Sequence, residues 1–301
     1  MKSVRASQIT PAGRGWLATA AEARPLHIFE AVCNLVDERG VVLSLQLDPV
    51  PASPVSISLP VAPHFSRRTA GFSDYIQPES KVHIEDNQLV VGQLSVEIGQ
   101  ARTWDPRPDW ESARAQQEGW RELVKSLAAL LLAEAPVNSL APLLAPEGSF
   151  QGQASGGLMA ERILSAARPA AEKLQLGLAD SDRAAVRQAS AALAGLGGGL
   201  TPSGDDYLMG VMHALWATWE MEAAKQWSEV ISEAASVRTG PLSSTWLLAA
   251  DKGQATGSWH ELLDALLASE ERELHPAARR IIQIGHSSGA DGLTGFCQTL
   301  L

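Results

Sequence analysis

The hydrophobic period of this chain changes once, and that change limits what it can fold into. From about residue 26 to residue 104, apolar and polar residues alternate. In "VVLSLQL", Val41, Leu43, Leu45 and Leu47 share one face, with Ser44 and Gln46 opposite. "VSISLPV" sets Val55, Ile57 and Leu59 against Ser56 and Ser58, and "LSVEI" aligns Leu94, Val96 and Ile98. A period of two predicts half-buried strands, and the Pro, Asp and Gly between them predict antiparallel connections. After "WDPRPDW" the spacing is helical, with Trp120, Leu123, Leu127 and Leu130 near one face. Helices are expected over about 158–176, 180–194, 204–222, 223–236, 242–252, 258–268 and 274–284, with a short one after 289. The expected class is α+β. A β-rich N-terminal barrel or sandwich occupies residues 1–105, and an all-helical domain follows over 106–301. A Pro-, Gly- and Ser-rich loop is expected near 136–157.

With 301 residues, 45% hydrophobic and 19% charged, the chain can bury substantial cores. Its formal charge of −10 opposes nucleic acid and anionic lipid, and the basic spots "SRRT" and "AARRII" are too small to reverse it. Cys33 and Cys297 are its two cysteines, which excludes a disulfide framework and a cysteine zinc site while leaving one bridge open. The first twenty residues lack the apolar centre of a signal peptide, and the longest apolar run, about "LAALLLA", is far short of a membrane span. A cytoplasmic protein without nucleic-acid or membrane partners is expected.

The chemistry concentrates in "GLGGGLTPSGDDYLMG", residues 195–210. A P-loop would need a lysine, and none lies between Lys173 and Lys225; a dinucleotide fingerprint would need a preceding strand, whereas "RAAVRQASAALAG" is helical. What remains is helix, loop, helix. Gly195 suits the stop of the first helix, and Gly197, Gly198 and Gly199 leave backbone N–H groups uncovered. Pro202, Ser203, Gly204, Asp205 and Asp206 open the second helix, with Ser203 or Asp205 as cap and the carboxylates opposing the dipole. Capping alone explains any one of these residues. It does not explain four glycines, Thr201, Ser203 and two aspartates together, a composition that suits an anion at a helix N-terminus. Adjacent aspartates diverge on a helix, so Asp205 and Asp206 cannot both be the same cap.

Two later stretches have the same character. "RTGPLSSTWLLAA" offers Arg238 as a planar donor fork, with Ser243, Ser244 and Thr245 at a helix start. "IGHSSGADGLTGF" holds His286, Ser287, Ser288 and Asp291. Its "GHSSG" matches the serine-hydrolase motif with Ser287 as nucleophile, but a helix precedes it and no histidine follows His286. Helix starts packed in a bundle can aim at one anionic ligand without many lysines. Asp205, Asp206 and Asp291 together would also suit Mg²⁺. His213, seven residues after Asp206, could share its helix face, although a lone helical histidine is more often packed. The tryptophans at 216, 219, 227 and 246 suit core or interface, and Asn34 in "FEAVCNLVDERG" is a polar group able to face a site or to close a turn.

In order, "HIFEAVCNLV", "GLGGGLTPSGDDYLMG", "RTGPLSSTWLLAA" and "IGHSSGADGLTGF" resemble a bacterial family long catalogued as a domain of unknown function. The resemblance runs from about residue 25 to 297. Family members often carry proline where this chain has Gly198. One branch is similar to a subunit of oxamate carbamoyltransferase, the ureide-pathway enzyme that needs three different proteins and interconverts oxalurate and phosphate with oxamate and carbamoyl phosphate. The resemblance therefore implies a carbamoyltransferase subunit in purine catabolism, with partner subunits encoded nearby and a small anionic substrate. On that reading Gly197, Gly198, Gly199, Thr201, Ser203 and Gly204 bind the anion, and Arg238, Ser243, Ser244, His286, Ser287 and Ser288 assist. Asp205, Asp206 or Asp291 would orient an amide nitrogen or a metal. The alternative is a non-catalytic module that binds an anionic metabolite.

Overall fold

The computed structural model describes residues 1–61, 71–85, 87–145 and 157–301, and divides into two compact units, Met1–Pro106 and Arg107–Leu301. The basic spot "SRRT" and residues 146–156 of the expected long loop lie outside the described residues.

The first unit runs β1 (Lys2–Arg5), β2 (Gln8–Ile9), α1 (Pro11–Thr19), β3 (Ala23–Ile28), β4 (Val32–Asp37), β5 (Val42–Leu47), β6 (Ser56–Leu59), β7 (Val82–Glu85), β8 (Gln88–Val91), β9 (Leu94–Glu97) and β10 (Arg102–Thr103). Among the described residues these form two open sheets, ordered β1–β9–β8–β7 and β10–β2–β6–β5–β4–β3. Neither closes, so the architecture is a sandwich and not a barrel. The apolar faces foreseen in the sequence line one core: Leu43, Leu45, Leu47, Val55, Ile57 and Leu59 from one sheet, Leu94 and Val96 from the other.

Two expectations need correcting. Strands β5 and β6 are not half-buried, because Ser44, Gln46, Ser56 and Ser58 on their polar face are buried as well, whereas β8 alternates. Burial is tolerated because several of these groups are hydrogen-bonded. The Ser44 hydroxyl donates to Asn34 Oδ1 at 2.7 Å, Gln46 Oε1 accepts the Ser53 N–H at 3.0 Å, and the Ser56 hydroxyl donates to Ser53 O at 2.7 Å. Asn34 is thus a buried strand residue paired to Ser44. The connections are also mixed: β4 and β5 are antiparallel, but β5–β6, β1–β9 and β2–β10 are parallel. Alternation reports which face a side chain takes, not strand direction or what covers the face.

The second unit contains α2 (Trp110–Gln116), α3 (Arg121–Glu134), α4 (Gly157–Ala179), α5 (Arg183–Leu193), α6 (Ser203–Thr218), α7 (Met221–Ala235), α8 (Pro241–Ala250), α9 (Gly257–Ala268), α10 (Glu271–Ile282) and α11 (Ser288–Leu300). Residues 136–145 are not open loop: they make tight turns that include a 3₁₀ segment at Ala141–Leu144. Among the described residues no helix is long and apolar enough to cross a membrane. Cys33 and Cys297 are both free and buried.

Helix α6 is buried on nearly every side, from Ser203 through Ala217, as a helix at the centre of a bundle must be. It lies against α11 with almost no side chain between the backbones. A Cβ added at Gly210 would sit 1.8 Å from Gly292 O, and one at Gly295 would sit 2.1 Å from Tyr207 O. A Cβ added at Gly289 would likewise fall 1.7 Å from Ile281 O in α10. Gly292 and Gly295 belong to the short helix expected after residue 289, and Gly289 lies just ahead of its expected start. They fall inside α11 at intervals of three, one face of a helix, and their lack of side chains permits the contact. His213 lies further along α6, between Trp110 (ring centroids 6.1 Å) and Trp259 (4.6 Å), with burial lowering its pKa to about 4. It is a neutral core histidine.

Gly210→Ala should therefore cost on the order of 3 kcal/mol or more, since the obstructing atom is backbone and cannot turn aside. Gly198→Ala, where a Cβ meets nothing within 4 Å, should shift stability by less than about 1 kcal/mol. Chemical denaturation of the two variants beside the wild type measures the contrast.

Candidate functional site

The starts of α6, α8 and α11 are held together by side chains of the three stretches singled out in the sequence. Helix α5 ends at Leu193, and Gly195 takes a left-handed φ of +71° to turn the chain. The loop then folds back over the beginning of α6: Gly197 has φ +117°, and a Cβ there would lie 2.8 Å from Ser203 N. Pro202 is the residue before the helix, and no side chain caps it; Ser203 is the first helical residue. The N–H groups of Gly197, Gly198 and Gly199 have no backbone acceptor among the described residues, and Gly198 and Gly199 are exposed. Gly204 differs from them. Its N–H donates to Leu196 O at 2.9 Å, and a Cβ would fall 2.0 Å from Leu193 O. Its place is one of packing.

The two aspartates part company, as adjacent helical residues must. Asp205 is fully buried and its carboxylate is committed within the protein. Oδ1 accepts the Gly195 N–H at 2.9 Å, while Oδ2 accepts the Ser243 hydroxyl at 2.7 Å and the Thr239 hydroxyl. Through these bonds one carboxylate ties the glycine loop to the start of α8. Ser243 is buried by that contact, Ser244 is half-buried, and Arg238 is exposed on the adjoining turn. Asp205 is thereby unavailable as a metal ligand, and no group of three His, Cys, Asp or Glu able to hold a metal occurs among the described residues.

Asp206 points the other way, to α11. The Thr201 and Ser288 hydroxyls hydrogen-bond each other at 2.7 Å, joining the first loop to the third. Both favour the charged form of Asp206, whereas burial, then the charge of Asp291, oppose it more strongly, so its pKa stands well above the usual carboxylate range. Asp291, on the first turn of α11, accepts the Leu140 N–H through Oδ1 at 2.6 Å. Burial pushes its pKa up to about 7, against the pull of the Leu140 N–H and the Ser203 and Ser287 hydroxyls. The hydroxyls are thus shared crosswise, each carboxyl being served by both loops. Asp206 Oδ2 and Asp291 Oδ2 are buried without a hydrogen-bond partner. Buried polar atoms without partners are uncommon, and here two occur at one place.

Ser287 lies between α10 and α11, not between a strand and a helix, and His286 beside it is exposed. Neither arrangement suits a serine nucleophile. Leu140 is the contributor that sequence reading missed. Its backbone N–H is the functional group, and no residue type announces a backbone donor. Chemically the assembly offers uncovered N–H groups, four hydroxyls and two carboxyls of unequal acidity, with two helix N-termini at the same end of a parallel-running pair. That combination suits a small anion bearing an uncharged polar group.

Residues 193–300, which contain all three stretches, match the model of the family described as oxamate carbamoyltransferase subunit AllH. The match supports the resemblance drawn from the loops. No curated protein and no solved structure matches the chain.

Two outcomes are expected. Asp205→Ala should lower stability by about 3 kcal/mol in chemical denaturation, since it strands the Gly195 N–H and two hydroxyls together. Asp291 binds its proton more tightly folded than unfolded, so its contribution to stability is complete below the ordinary pKa of 3.8 and is lost as pH rises through about 7. From about pH 4 to about pH 8, wild type should lose on the order of 4 kcal/mol of stability relative to Asp291→Asn. Parallel pH profiles for the two proteins would contradict the assignment.

Proposed function

We infer that this chain supplies the anion-binding part of a multi-protein carbamoyltransferase of the oxamate carbamoyltransferase kind, working with other subunits. The carrying observation is the junction of the first and third loops: the Thr201–Ser288 hydrogen bond and the facing carboxyls of Asp206 and Asp291. The family match over 193–300 supports the enzyme class.

In this reading the N–H groups of Gly197, Gly198 and Gly199 and the hydroxyls of Thr201, Ser203, Ser287 and Ser288 hold the anionic end of the substrate. Arg238, exposed beside the loops, adds positive charge there, and His286, also exposed, adds a ring able to hydrogen-bond the substrate. In the transfer from oxalurate, a phosphate oxygen bonds to the ureido carbonyl carbon, and the bond from that carbon to the oxamate nitrogen breaks. That nitrogen gains a proton and leaves as the amide of oxamate; the carbamoyl group leaves on phosphate. Negative charge develops on the carbonyl oxygen and on the leaving nitrogen, and preorganised donors stabilise it. No covalent intermediate on the protein is needed, in keeping with the poor setting of Ser287. Asp206 and Asp291 orient the amide part, while Asp205 keeps the loops in register.

Reconstitution tests the proposal. The chain alone should show no turnover, and carbamoyl phosphate formation from oxalurate and phosphate should appear on mixing with the partner subunits. In that mixture Thr201→Val and Ser288→Ala should each lower kcat/KM about tenfold, the effect of losing one hydrogen bond to a charged group. Binding of substrate without turnover in every mixture would favour a non-catalytic metabolite-binding module instead.

A further inference from the structure

We propose that the outward face of α8 is a docking surface for a second copy of this chain. The two helices meet antiparallel across a two-fold axis beside Ser244, with Arg238 of each copy against Asp251 and Glu229 of the other. The pairing is independent of the reaction proposed above.

Burial along α8 defines the face. Leu242, Ser243, Thr245, Leu247, Ala249 and Ala250 turn inward. Pro241, Ser244 and Leu248 face outward, at the spacing of three and four that marks one side of a helix. Val237, in the turn before α8, extends the stripe; it is 80% exposed and Leu248 is 41% exposed. Scattered apolar residues on a surface need no explanation, but these are bounded at their two ends by opposite charge. Arg238 stands exposed at one end, in no ion pair among the described residues. At the other end lie Asp251, half-buried, and Glu229, exposed on α7. Burial, then the charge of Glu229, disfavours the ionised form of Asp251, and Lys252 and Ser232 oppose this only in part. A single chain thus holds a carboxyl short of positive charge at one end and an unpaired guanidinium at the other.

Such ends complement each other in a second copy. An antiparallel pair centred between Ser244 and Thr245 sets Pro241 against Leu248 and Arg238 against Asp251, and symmetry makes each contact twice. Ser244, at the axis, is small enough for close approach. Lys252 falls opposite Val237, where its methylene stem covers the valine and its ammonium stays in water. Pairing with a carboxylate leaves Arg238 further N–H groups for the anion. A parallel pair would set Arg238 against Arg238 and acid against acid, and is rejected by repulsion.

Sedimentation of the full chain should show a dimer. Arg238→Asp and Asp251→Arg each place like charges at both ends of the contact and should weaken dimerisation at least about tenfold. Mixed in equal amounts, the two variants should form a heterodimer, because both opposed pairs are then restored. A gain on mixing cannot come from a damaged fold. Leu248→Glu, at an exposed position, should also weaken the dimer at least about tenfold. A wild type that stays monomeric overturns the proposal, including one whose α8 is covered only when partner subunits are added. A dimer indifferent to Leu248→Glu overturns it too, as do folded charge variants that remain monomers on mixing. If a charge variant does not fold, the wild-type mass and Leu248→Glu decide the matter.

Discussion

The backbone contact between α6 and α11 is the constraint on which the rest of the helical unit depends. Gly210, Gly292 and Gly295 let the helices meet with carbonyl oxygens where side chains would otherwise stand. Such an approach fixes the relative height and rotation of the two helices, because a small displacement brings backbone atoms into collision. Asp206 lies one turn before Gly210, and Asp291 precedes Gly292 directly. The separation of the two carboxyls is therefore set by glycines that carry no chemistry. Hydroxyls of the two loops then arrange themselves about a pair already fixed.

Energetically the arrangement is unfavourable in itself. Two acidic groups are buried in a helical core, with two oxygens unpartnered. The packing of a helix buried almost from end to end supplies the compensation. Asp205 shows the opposite solution at the next position: equal burial, but with three donors from three places in the chain. The contrast between adjacent aspartates separates a structural carboxylate from a pair held ready for something else.

Much of this was legible in the sequence, and the failures have physical causes. The change of period located the sheets and the helices, and the Ser-, Thr- and Asp-rich stretches marked the starts of α6, α8 and α11, because composition and spacing are local properties. The divergence of Asp205 and Asp206 followed from helix geometry alone. Which of the two would be structural did not, since Thr239 and Ser243 lie over thirty residues away. A helix after residue 289 was expected, but not that Gly289, Gly292 and Gly295 would form its contact face, since glycine by itself disfavours helix. Their spacing of three was the neglected signal. Burial of Ser44 and Gln46, and the part of Leu140, depend on contacts that no local pattern records.

The burial of α6 also decides where such a protein can change. Its inner wall admits no substitution without disturbing the bundle, so the residues that reach Asp206 from behind are effectively frozen. Gly198, Gly199, Leu200, Arg238 and His286 stand in solvent and press on nothing comparable. Descendants that handle a different small molecule would therefore diverge at this outer lip first, while the pair of acids beneath it stayed as it is.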